Sequence, residues 1–132
     1  MIEEERRNLR YTLRQARRKL TEVQQARAAD HLRELVTNQD FYRKALQIAF
    51  YQSVDGEIDP TPLLKQALSE GKSCCLPTIP DKNSELISFA RFNEDTVLRK
   101  NRWGIYEPAA AKDTVSPTEF DLVFVPLVGF DA

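Results

Sequence analysis

A chain of 132 residues, 30% of them charged and with a net charge of −1, is one domain's worth of polypeptide, large enough to bury a core without metal or disulfide support. That charge balance excludes the global signature of a nucleic-acid binder, and no run approaches the roughly 18 apolar residues of a membrane helix. The charged N-terminus lacks the apolar core of a signal peptide, so a soluble cytoplasmic protein is expected, with neither a nucleic-acid nor a membrane partner.

Ile2, Leu9, Leu13, Ala16 and Leu20 fall within a narrow arc at about 100° per residue, predicting a helix over 2–19 with that arc against the body. Arg6, Arg10, Arg14 and Arg17 line its flank, in a segment that also carries Arg7, Arg18 and Lys19. Thr21-Glu-Val-Gln24 is a capping box, predicting a second helix to about residue 36 that buries Ala28, Ala29, Leu32, Leu35 and Val36. Residues 45–51 are a short apolar run of strand type, followed by a polar loop at 53–59. Asp59 with Pro60 starts a helix whose stripe is Leu63, Leu64, Ala67 and Leu68, and Gly71 ends it.

Residues 72–77 form the next strand, so strand, helix and strand make a βαβ unit with parallel pairing. Pro77, Pro80, Asp81, Lys82 and Asn83 make a loop, 86–92 alternates as a half-buried strand, and a short helical stretch is expected around 94–100. Residues 109–118 read as loop. The run 120–128 is the most apolar in the chain and reads as a central strand buried on both faces. The fold class is α/β, helices on a mainly parallel sheet. Only four residues follow that last strand, so the expected domain looks incomplete at its C-terminus, leaving a monomer or an edge-paired dimer as the assemblies to expect.

No Walker loop, HExxH, CxxC or GxSxG motif is present. His31, the only histidine, lies off its helix's apolar face and reads as a surface residue, which leaves no basis for a Ser-His-Asp triad or a His/Cys metal site. The adjacent Cys74 and Cys75 point to opposite faces of a strand, as small buried hydrophobes or, in the alternative, as a reactive thiol. The arginine flank has two readings, a solvated face balanced by Glu3, Glu4 and Glu5, or a bidentate grip on phosphates. RNA binding is a weaker third, because no aromatic platform accompanies the stripe. Glu57, just past the carboxyl end of the first strand, is placed to accept two hydrogen bonds from an amino-pyrimidine ring, or simply closes a turn. Trp103 either stacks on a flat heterocycle or fills core.

Five stretches in order carry a resemblance over nearly the whole chain: Arg6-Arg-Asn-Leu-Arg10 with Arg17-Arg-Lys-Leu-Thr21; Phe50-Tyr-Gln-Ser-Val-Asp-Gly-Glu-Ile-Asp59; Leu63 to Lys72 with Leu76-Pro77; Trp103-Gly-Ile-Tyr-Glu-Pro108; and Asp121-Leu-Val-Phe-Val-Pro-Leu-Val-Gly-Phe-Asp131. Together they are similar to the 5-formyltetrahydrofolate cyclo-ligase (5,10-methenyltetrahydrofolate synthetase) family. The resemblance implies a three-layer α/β/α sandwich of the ribose-phosphate isomerase/CoA-transferase type. It also implies an ATP- and magnesium-dependent conversion of 5-formyltetrahydrofolate to 5,10-methenyltetrahydrofolate, ADP and phosphate. Carried over residue by residue, it implies ATP contacts at Arg6, Arg7, Asn8, Leu9 and Arg10, and folate contacts at Arg10, Gln52, Glu57 and Trp103. Arg10 and Glu57 would then face one cavity above the strand tips. The family continues past Gly-Phe-Asp with a glycine-rich stretch that wraps the ATP phosphates and supplies a magnesium carboxylate. Without it, little turnover and weak ATP binding are expected, and a non-catalytic folate- or nucleotide-binding module is the alternative.

Overall fold

The apolar run after residue 45 supplies the first strand of the sheet, β1 (Gln47–Ala49), in a computed structural model that describes residues 2–78, 87–109 and 114–130. Three helices precede it: α1 (Ile2–Arg18), α2 (Glu22–Thr37) and the unanticipated short α3 (Asp40–Lys44). After β1 come α4 (Thr61–Ser69), β2 (Ser73–Thr78), β3 (Ser88–Phe92), β4 (Leu98–Lys100), β5 (Tyr106–Pro108), β6 (Thr114–Val115), a 3₁₀ turn (Pro117–Glu119) and β7 (Leu122–Val123). The main sheet has the order β6-β3-β2-β1-β7. β1 pairs in parallel with β2 and β7, whereas β2–β3 and β3–β6 are antiparallel. The α/β class holds, but the sheet is mixed rather than mainly parallel: β2, β1 and β7 run parallel, and β3 and β6 add antiparallel pairs.

Local chemistry sets several boundaries where the sequence puts them. The Thr21 hydroxyl accepts from the Gln24 amide while the Gln24 side chain accepts from the Thr21 amide, so the capping box opens α2. At the end of α4, Gly71 takes φ +80°, and the amides of Gly71 and Lys72 donate back to Leu68 and Ala67 at 3.0 Å each. Only glycine enters that left-handed region without cost, and the paired bonds satisfy the last carbonyls of the helix. Asp59 acts slightly differently from expectation. Its Oδ1 accepts from the Thr61 amide (2.9 Å) and hydroxyl (2.6 Å), so α4 starts at Thr61 rather than at Pro60.

The core lies between one face of the sheet and α2, α3 and α4. Ile48, Phe50, Cys74 and Leu76 meet Tyr42, Leu63, Leu64 and Ala67 there, with Leu122 and Phe124 packed at its border. Both thiols are buried, and burial pushes the Cys74 thiol up to about 12, which keeps it protonated and unreactive at neutral pH. Lys72 stitches the helical layer to the strand. Its ammonium donates to the carbonyls of Tyr42 (3.0 Å), Arg43 (3.2 Å) and Ala45 (2.7 Å) at the end of α3, and sits 4.6 Å from the Tyr42 ring centroid. Charge-assisted bonds to helix-terminal carbonyls are worth more than neutral ones, so Lys72→Met is expected to cost about 2–3 kcal/mol in urea denaturation.

Four expectations are corrected. Helix α1 forms where its period predicts, yet buries no residue; Ile2, Leu9 and Leu20 are exposed, as is Leu35 on α2. An amphipathic arc is buried only where another element covers it, and within this arc Leu13 is half-buried, with Gly129 beside it. Residues 94–100 are not helical. Asn93 Oδ1 accepts from the Asp95 amide and the Thr96 hydroxyl accepts from the Asn93 amide, a tight turn that feeds β4, which pairs with β5. Within 109–118, β6 and the 3₁₀ turn replace a plain loop. The run 120–128 is not a central strand buried on both faces. β7 is an edge strand, with Leu122 and Phe124 against the core and Val123, Val125 and Leu127 open to solvent. A continuous apolar run has no period to distinguish one covered face from two. The loop residues Pro80, Asp81, Lys82 and Asn83 and the first residue of the 86–92 strand lie outside the described residues.

Candidate functional site

Because β1 and β7 run parallel, their carboxyl ends share one edge of the sheet, where open α/β sheets bind ligands. The chain leaves β1 through the loop 51–59 and leaves β7 through 124–130, so both segments lie over that edge. The Asp121 carboxylate fixes the approach of β7 by accepting from the amides of Leu46 (2.8 Å) and Gln47 (3.0 Å), and those bonds hold its carboxyl below the usual range.

Three depressions among the described residues lie near that edge. The largest of these three, about 670 Å³, is a cleft between Arg6, Leu9, Arg10 and Leu13 of α1 and the segment Pro126 to Phe130. On the other side of that segment a second, of about 280 Å³, is walled by Tyr51, Ile58 and Val125. The third, about 270 Å³, lies between α2 and the loop and is lined by Glu22, Gln25, Ala26, Ala29, Ser53, Glu57 and Asp59. The first two share Pro126 to Phe130, so that segment borders both the arginines and Tyr51. Tyr51 donates to the Ile58 carbonyl at 2.6 Å, and burial, with Glu57 and Asp59 nearby, pushes its phenol up to about 12.

Arg6, Leu9 and Arg10 of the anticipated ATP set line the main cleft; Arg7 and Asn8 are exposed and line none of the three. Arg6 reaches Glu3 only at 3.9 Å with both side chains exposed, and Arg10 makes no ion pair among the described residues, so both charges are available to an anion. Glu57 lines the third depression and Arg10 the cleft, so these two depressions do not bring them together. One Glu57 oxygen accepts from the Val54 amide at 3.0 Å, and the Ser53 hydroxyl donates to its carbonyl at 2.6 Å, so the turn-closing reading of Glu57 is at work. Gln52 is half-buried and lines none of the three. Trp103, 53% exposed in the β4–β5 turn, also stands apart, with the Arg102 guanidinium 3.9 Å from its ring centroid.

Several participants were legible in the sequence only as apolar pattern or family stretch, not as site residues. Tyr51, Leu13 and the wall Pro126 to Phe130 join the site through contacts far apart along the chain. The arginine stripe divides: Arg6 and Arg10 line the cleft, whereas Arg17 turns to Asp55 (3.3 Å) beside the two-pronged Arg18–Asp55 pair (2.8 and 2.9 Å). Hydrogen bonding to Arg18 and the charges of both arginines hold the Asp55 carboxyl below its ordinary value.

A basic helix laid along a cleft at the carboxyl ends of parallel strands defines an α/β domain with basic and apolar side chains side by side at the strand tips. The chain belongs to the 5-formyltetrahydrofolate cyclo-ligase family, a family of ligases, whose model matches residues 2–132. The 5-formyltetrahydrofolate cyclo-ligase of Haemophilus influenzae is 33% identical over 132 residues, spanning 99% of this chain and 71% of that protein. That of Escherichia coli K12 is 30% identical over 120 residues, spanning 90% of this chain and 66% of its own length. The solution structure of Aquifex aeolicus 5,10-methenyltetrahydrofolate synthetase superposes with a TM-score of 0.81 at 28% identity, over 94% of this chain and 61% of that one. No helix among the described residues is long and apolar enough to cross a membrane.

Proposed function

We propose that this domain serves the ATP-dependent cyclisation of 5-formyltetrahydrofolate to 5,10-methenyltetrahydrofolate, with release of ADP and phosphate. The observation that carries the reading is the cleft in which Arg6 and Arg10 face the wall Pro126 to Phe130 at the strand tips. In the reaction the formyl oxygen attacks the γ-phosphorus and the bond to ADP breaks. N10 of the folate then attacks the activated formyl carbon, its proton is lost to solvent, and phosphate leaves with the former formyl oxygen. The domain's share is to offset the triphosphate charge with guanidinium groups and to hold two anionic substrates in contact. Leu9, Leu13 and Phe130 offer apolar surface to a heterocycle beside those charges.

Magnesium does not fit the residues that line this cleft. Among the described residues no three His, Cys, Asp or Glu side chains cluster to hold a metal, and the cleft is lined by no carboxylate, so no step is assigned through the ion. Phe130 is 91% exposed and Val125 and Leu127 also face solvent, so water reaches the cleft freely. An open site screens the arginines and admits water to the transferring phosphoryl group, which supports slow turnover by these residues.

The test is a titration of the purified chain with magnesium ATP and with 5-formyltetrahydrofolate, followed by absorbance of the methenyl product coupled to ADP release. Binding of both with slow product formation is expected. No binding of either at millimolar concentration overturns the proposal, and binding of both with no product favours a non-catalytic module.

A further inference from the structure

Helix α1 buries no residue, and a 17-residue helix alone is only marginally stable in water, so its orientation depends on a few ties. One is midway, where a Cβ on Gly129 would stand 2.5 Å from Leu13 Cδ1, a separation that only glycine permits without moving the leucine. The other is at its C-terminal end, where Arg17 and Arg18 converge on Asp55.

Three features set that cluster apart from an ordinary surface pair. Arg18 holds both Asp55 oxygens in a fork, the geometry in which a guanidinium binds a carboxylate best. The Arg17 side chain is only 13% exposed, and its Nε and Nη1 are buried with no hydrogen-bond partner, so Asp55 is the group that offsets its charge. Asp55 itself takes φ +53°, a left-handed conformation that Asp and Asn adopt more readily than other residues with a side chain, and the following Gly56 packs under the Arg17 stem. This left-handed turn aims the carboxylate at α1.

We infer that the Arg17–Asp55–Arg18 cluster is the anchor that sets α1 over the cleft, which makes Asp55 a positioning residue for Arg6 and Arg10; its functional half rests on the nucleotide reading given above. The lever is long. At 1.5 Å per residue Arg6 stands about 16 Å from Arg17 along the helix, so a tilt of about 10° at the anchor displaces it by about 3 Å. That exceeds the tolerance of a hydrogen bond to phosphate. The anchor also couples two parts of the site, because the loop that presents Asp55 is closed by Val54 and Glu57, bonded through the Val54 amide to the Glu57 carboxylate and the Glu57 amide to the Val54 carbonyl.

Asp55→Asn keeps the size and the left-handed tolerance of the residue and removes the charge. Amide hydrogen exchange and the nuclear Overhauser contact between the Leu13 methyls and Gly129 are then read without ligand. Expected are exchange in α1 faster by about fivefold or more, a weakened Leu13–Gly129 contact, and unchanged exchange in β1 and β2. Asp55→Gly, which keeps the left-handed backbone and removes the carboxylate altogether, should loosen α1 equally. Unchanged α1 exchange in both variants overturns the anchor, and so does an equal rise in β1 and β2, which would mark general destabilisation. In the second arm, magnesium ATP affinity should fall about fivefold in Asp55→Asn. Wild-type affinity with a loosened α1 overturns the positioning role, whereas absence of ATP binding by the unmutated chain overturns the nucleotide reading and with it that role, leaving the ligand-free anchor result standing.

Discussion

Phe50→Ala is expected to destabilise the domain by about 3–5 kcal/mol, the range for deleting a fully buried aromatic ring. Phe50 follows β1 and is 1% exposed; its amide donates to the Cys75 carbonyl at 2.9 Å, and its ring stacks on Phe124 at 5.3 Å and 28°. It therefore joins β2, β1 and the segment after β7, and the ring's removal leaves a cavity that those three strands cannot close without breaking backbone pairing. Domains of this kind are stable by only about 5–15 kcal/mol, so the variant should unfold at much lower urea. The effect reaches the site as well, since residues 51–59 and 125–130 leave the sheet beside this ring pair. A loss below about 1 kcal/mol would show that Phe124 does not pack on β1 and that the wall of the cleft is placed elsewhere.

Arg10→Glu should weaken magnesium ATP binding by between about tenfold and a hundredfold, by calorimetric titration. The change removes a cation that lines the cleft and has no ion-pair partner among the described residues, and sets an anion in its place opposite the triphosphate. Arg14 supplies the internal control. It lies on the same helical flank but lines none of the three depressions, so Arg14→Glu changes net charge equally and should alter affinity only slightly. Equal losses in the two variants would mean that the helix attracts nucleotide only through its overall charge, and that the cleft does not grip it.

The division between legible and illegible features follows sequence distance. The capping box at Thr21, the left-handed terminus at Gly71 and the β1-α4-β2 crossover were readable because each is decided by residues within one turn or by one change of period. The short helix read at 94–100 failed for a related reason: its turn chemistry at Asn93 lies in two side-chain bonds that leave no hydrophobic pattern. Family membership was legible too, since five stretches in order span nearly the whole length that the family's model matches.

What the sequence determined by itself was therefore the class of fold, the position of the basic helix and the kinship of the chain. The tertiary structure alone decided which face of 120–128 is covered, that α1 buries nothing, and that Arg17 turns to Asp55 while Arg10 lines the cleft. Periodicity records only that a face is apolar or charged. Burial, pairing and convergence depend on partners tens of residues away, and those partners meet only once the chain has folded.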